Sequence, residues 1–148
     1  TRKIAMAVAR IGKGGTKPLL IGNMDAKRDW GYAGDCAKGM WMILQHTFAD
    51  DFVLATGENH SVREFIVEAF RVVGMDITWQ GEGTDEVGLN LSTGKTLVAI
   101  DPQYFRPAEV DTILGDATKA KTLLGWRPSV AFPELVKRMV EAELHRVS

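Results

Sequence analysis

Two arginines in short, stiff contexts are the residues best suited to chemistry. One is Arg28, in Lys27-Arg28-Asp29-Trp30; the other is Arg106, in Tyr104-Phe105-Arg106-Pro107-Ala108-Glu109. A guanidinium is a planar fork of donors that meets phosphate oxygens two at a time and never loses its charge. Two such forks from distant parts of one chain would clamp a diphosphate. The competing reading is a pair of surface arginines in ion pairs with Asp29 and Glu109, an arrangement that is common and weak. Spacing alone favours the ion pairs; the surrounding sequence reverses that choice.

Other reactive residue types carry less. Cys36 lies among Ala37, Met40 and Trp41 in a helical pattern and reads as a buried, inert thiol. His46, His60 and His145 have no metal-ligand spacing. His46 and His145 fall near helix C-termini, where partial positive charge is favourable. His60 precedes a capping box and either lines a loop beside a site or is an exposed staple. Ser92-Thr93-Gly94-Lys95-Thr96 ends like a phosphate loop, but that pattern needs glycine at position 89, which is Leu89. Gly81-Glu82-Gly83 lacks the third glycine of the dinucleotide fingerprint, position 86 being Glu86. The expectation is therefore no metal site and no cofactor-binding turn in this chain.

The elements that must carry the arginines follow from periodicity. Ile4, Met6, Ala7, Val8 and Ile11 form a helical stripe stopped at Gly12. Leu19-Leu20-Ile21 is a short strand ending at Gly22-Asn23. Residues 33–46 read as a helix with Ala37, Met40, Trp41, Ile43 and Leu44 on one face. Phe52-Val53-Leu54-Ala55 is a continuous apolar run, the pattern of a strand buried on both faces in a parallel sheet. Ser61-Val62-Arg63-Glu64 is a capping box opening a helix that runs to Gly74. Residues 76–79 form a strand, and 84–100 a hairpin turning at Ser92-Thr93-Gly94. Asp116 caps a short helix over 117–124, and the last helix spans 132–146. The order is mixed α/β, yet one central-type strand does not make a sheet. The chain is expected to lack a partner sheet.

At 148 residues, 45% of them apolar and 25% charged, the chain has the size and balance of one soluble globular domain. A net charge of −1 offers no field for nucleic acid or anionic lipid, so any anion site is local. No apolar run reaches the length of a membrane span. A single cysteine and the lack of a signal segment point to a reducing, cytoplasmic setting. Thr1 begins inside a helical pattern, as expected for a piece cut from a longer chain.

Several strings are more specific. They are Thr1-Arg2-Lys3-Ile4, Gly22-Asn23-Met24-Asp25-Ala26-Lys27-Arg28-Asp29-Trp30-Gly31, Asp51-Phe52-Val53-Leu54-Ala55-Thr56-Gly57, and His60-Ser61-Val62-Arg63-Glu64-Phe65. To these add Tyr104-Phe105-Arg106-Pro107-Ala108-Glu109-Val110, Gly115-Asp116-Ala117-Thr118-Lys119-Ala120-Lys121 and Leu124-Gly125-Trp126-Arg127-Pro128. Along essentially its whole length the chain resembles the C-terminal portion of the GDP-mannose 4,6-dehydratase family, extended short-chain dehydrogenases/reductases.

The resemblance implies the fold class, a mixed α/β substrate-binding portion of such an enzyme with the N-terminal Rossmann part absent. It implies one nucleotide-sugar binding domain over 1–148, in which a strand–helix unit, 33–56, would join the missing Rossmann sheet. It also implies roles. Lys3 matches the lysine at the nucleotide end of the site. Gly22 and Asn23 lie where backbone approaches the guanosine, Arg28 and Arg106 match the diphosphate arginines, and Glu109 matches the carboxylate on the ribose hydroxyls. Trp30 and Tyr104 are expected to pack against the arginines.

The reaction so implied turns GDP-mannose into GDP-4-keto-6-deoxy-mannose through oxidation at C4, loss of water across C5 and C6, and reduction at C6. NADP and the Tyr-x-x-x-Lys pair would belong to the missing half, since no such pair occurs here. Implied partners are GDP-mannose, that Rossmann half, and further copies in a homo-oligomer. The alternatives are an epimerase or reductase acting on another nucleotide-sugar, or a non-catalytic nucleotide-sugar binding or assembly module.

Overall fold

Apolar residues at helical spacing make α1 (Arg2–Gly12) a one-sided helix. Ile4, Ala7, Val8 and Ile11 are buried, while Met6 stands half exposed on its flank. This is seen in a computed structural model, which describes residues 1–104 and 112–147. The chain continues through β1 (Leu19–Ile21), β2 (Lys27–Arg28), α2 (Ala33–Leu44), β3 (His60–Ser61), α3 (Val62–Val72) and β4 (Ile77–Gln80). It ends with β5 (Val87–Asn90), β6 (Thr96–Ile100), β7 (Thr112–Ile113) and α4 (Phe132–Arg146).

The larger sheet has the order β1-β6-β5-β4. The expected hairpin is β5–β6, with β4 added antiparallel and β1 added parallel, Leu19 opposite Val98 and Ile21 opposite Ile100. Helices α1, α3 and α4 bury one continuous core against it. Val8, Phe65, Phe70, Val98, Val136 and Val140 lie at its centre, fully shielded from solvent. The capping box forms as read: Ser61 Oγ accepts from Glu64 N–H while the Glu64 carboxylate accepts from Ser61 N–H. That hydrogen bond from the Ser61 amide outweighs the effect of burial and keeps the Glu64 carboxyl below its usual range.

A second, smaller sheet has the order β3-β2-β7. Arg28 pairs antiparallel with His60 and parallel with Ile113. Its strands are two residues long, too short for a period-2 pattern to announce them.

Three sequence expectations change. Residues 52–55 join no ladder among the described residues, and Val53 is 53% exposed. One side of the segment packs Phe52, Leu54 and Ala55 on a small core of Ala117, Ala120 and Trp126; the other side is bare. Helix α2 forms over the expected range but turns its apolar stripe outward, with Met40, Trp41 and Leu44 exposed and Cys36 only half-buried. Its inner face is set by Gly39, where a Cβ would lie 2.6 Å from Leu54 Cδ1 and 2.9 Å from Trp126 Nε1. The helix expected over 117–124 forms over 118–124 but takes π geometry at Ala120–Leu124, and Asp116 Oδ1 accepts from Thr118 N–H at its start. Trp30 packs on Phe65 and Phe132 against the main core.

Candidate functional site

Lys3 sits in the first turn of α1, where helix geometry turns it away from the buried Ile4–Val8 stripe. Its Nζ lies 3.5 Å from the centroid of the Tyr104 ring, within the range of a cation–π contact. Tyr104 is placed by a tight turn: Asp101 N–H donates to Ile21 O, and Tyr104 N–H donates to Asp101 O. The end of β1 and the end of β6 thus carry the ring to the helix. A cleft of 430 Å³ opens there, lined by Lys3, Met6, Leu20, Tyr104, Glu143 and Val147 among others. Its walls are mostly apolar, with a cation stacked at one edge, which suits a flat heteroaromatic group with a polar rim.

Gly22 and Asn23 follow β1 directly. Gly22 is buried and Asn23 half-buried, and Asn23 Oδ1 accepts from Asp25 N–H at 2.9 Å, closing a tight Asx turn. Asn23 lines a separate cleft of 210 Å³ with Asp25, Arg63, Gly83, Glu86 and Ile100. Lys3 and Asn23 therefore share the β1 end but not one cavity among the described residues.

Arg28 lies on β2 between β3 and β7, half-buried, with Nη1 donating to Lys27 O. The Asp29 carboxylate, which the competing reading pairs with Arg28, has hydrogen-bond donors from remote segments. That carboxylate accepts from Thr56 N–H at 3.0 Å, Thr56 Oγ1 at 2.6 Å and Gly57 N–H at 2.9 Å, with a longer contact to Gly115 N at 3.4 Å. Burial pushes the Asp29 carboxyl up, but the hydrogen bonds from Thr56, Gly57 and Gly115 outweigh it and hold it below the usual range. Asp29 is thus an anchor. It fastens the 56–57 loop and the exit of β7 to the strand that bears Arg28.

Arg106 and Glu109 lie outside the described residues. The flanks of their segment are defined: the chain leaves at Tyr104, against Lys3, and returns at Thr112, paired with Lys27. Tyr104 meets Lys3.

Three features were not legible as part of a site. His60 was left between a loop-lining and an exposed position; its ring is stacked on Phe132, centroids 3.8 Å apart, and lines clefts shared with Trp30 and Glu58. Asp35 is buried and accepts from Ser129 N–H, Ser129 Oγ and Val130 N–H, tying α2 to the segment before α4. Arg63, which the sequence offered only as the third letter of a capping box, forks onto Glu86 and reaches Asp25. A side-chain network joining residues 25, 63 and 86 has no local sequence signal. For a nicotinamide cofactor the fit is poor. The Gly81–Gly83 stretch runs from β4 into a 3₁₀ turn (Gly83–Asp85) and then a strand, so no helix N-terminus meets a pyrophosphate there. Among the described residues no cluster of His, Cys, Asp and Glu is arranged to hold a metal ion, and no helix is long and apolar enough to cross a membrane.

Comparison with known proteins is consistent with this geometry. The family model described as GDP-mannose 4,6 dehydratase matches residues 1–139. The chain is 51% identical over 97% of its length to GDP-mannose 4,6 dehydratase of Homo sapiens, 50% identical to that of Drosophila melanogaster and 51% identical to that of Sinorhizobium fredii. It covers 39%, 36% and 41% of those proteins, so it spans about two fifths of the relatives it matches. Among solved structures, RMD from Pseudomonas aeruginosa complexed with NADPH aligns with a TM-score of 0.77 at 17% identity, over 98% of this chain and 42% of that one. UDP-glucose 4-epimerase with UDP-glucose from Thermotoga maritima aligns with a TM-score of 0.70 at 21% identity, over 98% and 40%. These structures share the mixed α/β fold of this chain over about two fifths of their own length.

Proposed function

The chain belongs to the GDP-mannose 4,6-dehydratase family, and we propose that it is the part of such an enzyme that grips the GDP-sugar. In this reading the guanine enters the cleft beside Lys3 and Tyr104, and the backbone at Gly22 and Asn23 meets the guanosine. Arg28 and Arg106 clamp the diphosphate, and Glu109 accepts from the ribose hydroxyls. The observation that carries the reading is the course of the chain around residues 105–111. It departs beside the cation of Lys3 and re-enters beside Lys27 and Arg28. A segment bearing Arg106 and Glu109 is thus bracketed by basic side chains at both ends.

The reaction proposed for the whole protein is conversion of GDP-mannose to GDP-4-keto-6-deoxy-mannose. NADP would supply hydride removal and return, held by the remainder of such a protein. We place that remainder against α2 and residues 52–56. Met40, Trp41, Leu44, Phe48 and Val53 are 53–80% exposed there, an unusual apolar concentration for a finished surface. Covering α2 and pairing 52–56 into a parallel sheet would bury both, which is the role given to the 33–56 unit. The 148-residue chain is then a binder without dehydratase activity. Calorimetric titration tests this: the chain is expected to bind GDP and GDP-mannose in preference to UDP and UDP-glucose. Equal affinity for the two nucleotides, or formation of a 4-keto sugar by the chain alone, contradicts the reading.

A further inference from the structure

We infer that Arg63 is a positioning residue for nucleotide binding: it fixes the Asn23–Asp25 turn in the form that meets the nucleoside. The inference rests on the role proposed for Gly22 and Asn23.

Residues 22–26 connect β1 to β2 without joining a strand ladder themselves. Something else must hold them, and the contacts converge on the start of α3. Val62 N–H donates to Ala26 O, and Arg63 N–H donates to Met24 O at 2.8 Å. The Arg63 side chain then spans from the turn to the large sheet. Nη1 and Nη2 fork onto the Glu86 carboxylate at 2.6 and 3.0 Å, and Nε donates to Asp25 Oδ1 at 2.9 Å. The guanidinium carbon lies 4.7 Å from the centroid of the Trp79 ring on β4.

The two ends of this strut differ. Glu86 is 15% exposed and leads into β5, so that end is rigid; Asp25 is 74% exposed and belongs to the turn. Asp25 in turn donates its backbone N–H to Asn23 Oδ1. Force applied at Asp25 is therefore passed to Asn23 through one hydrogen bond. Nε, Nη1 and Nη2 each already donate to a carboxylate, and two carboxylates surround the one guanidinium. Arg63 is thus badly placed to take a phosphate itself, and its contribution to binding is indirect.

A lysine at this position keeps the charge and the stem over Trp79 but cannot fork onto Glu86 while reaching Asp25. This gives a test in which fold and positioning separate. GDP binding to the 148-residue chain is measured by calorimetry for wild type, Arg63→Lys, Asp25→Asn, Asn23→Ala and the double variant Arg63→Lys/Asn23→Ala. Amide exchange is followed at residues 23–25 and along α3.

Arg63→Lys is expected to weaken GDP about tenfold, the scale of hydrogen bonds between charged groups, and Asp25→Asn about threefold, the scale of an exposed ion pair. Exchange at Asp25 should accelerate while α3 keeps its protection. Asn23→Ala should cost less in the Arg63→Lys background than in wild type, since the turn is already released. If Arg63→Lys does not fold, Asp25→Asn carries the decision, because its side chain is mostly solvent-exposed.

Wild-type affinity in Arg63→Lys or, should that variant not fold, in Asp25→Asn overturns the inference, as does strict additivity in the double variant. A loss of affinity accompanied by equal loosening of α3 also overturns it, since that is a general structural effect. If wild type binds GDP and the variants match it, only the role of Arg63 falls. If wild type does not bind GDP, the assignment of Gly22 and Asn23 falls and this inference falls with it.

Discussion

Asp29→Ala should loosen the arginine-bearing strand and remove a defined part of the pH dependence of stability. In the structure one carboxylate receives three hydrogen bonds of ordinary length, from Thr56 N–H, Thr56 Oγ1 and Gly57 N–H, and a longer contact from Gly115 N. A buried hydrogen bond to a charged group is worth about 1.5–3 kcal/mol. Asp29 is only half-buried, so water can reach some of the orphaned donors, and about 0.5–1 kcal/mol each is the better scale. The loss is then about 1.5–3 kcal/mol, or about 4–10 °C in Tm for a chain of this size.

The sign of the pH dependence follows from the lowered carboxyl. Asp29 stabilises the fold fully above the ordinary carboxylate range, and its contribution is lost as pH falls through the depressed folded value. Denaturant unfolding at neutral pH and in steps below pH 4.5 should show wild type losing its advantage over Asp29→Ala as the pH drops. A variant with wild-type Tm, or a gap that stays constant through the acid range, refutes the idea that this carboxylate ties residues 56–57 and 115 to β2.

Other outcomes follow from single contacts. Gly115→Val should destabilise by about 2 kcal/mol or more in thermal melts, because a Cβ at 115 would lie 2.2 Å from that of Ala55. Ser61→Ala should cost about 1 kcal/mol through the lost cap while leaving GDP affinity unchanged by calorimetry. Trp41→Glu with Leu44→Lys should reduce self-association of the chain in sedimentation without lowering Tm, since both side chains are more than half exposed.

Much of the fold could be read because its signals are local. Helices α1, α3 and α4 announce themselves through apolar spacing and, for α3, through Ser61 and Glu64 three residues apart. The β5–β6 hairpin does so through alternation around a Ser-Thr-Gly turn. What could not be read is non-local. Strands β2, β3 and β7 exist because three remote segments meet, and two residues cannot display a period. The stripe on α2 shows that a helix is amphipathic but not what covers it. Residues 52–55 have the composition of a central strand, which says what the segment favours, not whether its neighbours are present. Asp29 looked like the natural partner of Arg28 because it is adjacent in sequence. Its hydrogen-bond donors lie 27 to 86 positions away, beyond the reach of any local pattern. The sequence offers the arginines as candidates by residue type and context, whereas the Asp25–Arg63–Glu86 strut needed three-dimensional placement.

The central claim is that Arg28 and Arg106 together grip a diphosphate. Its most direct measurement is calorimetric titration of wild type, Arg28→Ala, Arg106→Ala and the double variant with GDP and with GMP. Each single variant should lose about 1.5–3 kcal/mol of GDP binding. The losses should shrink for GMP, which presents one phosphate to two forks. Unchanged GDP affinity in both single variants, or equal losses for GDP and GMP, would contradict the clamp.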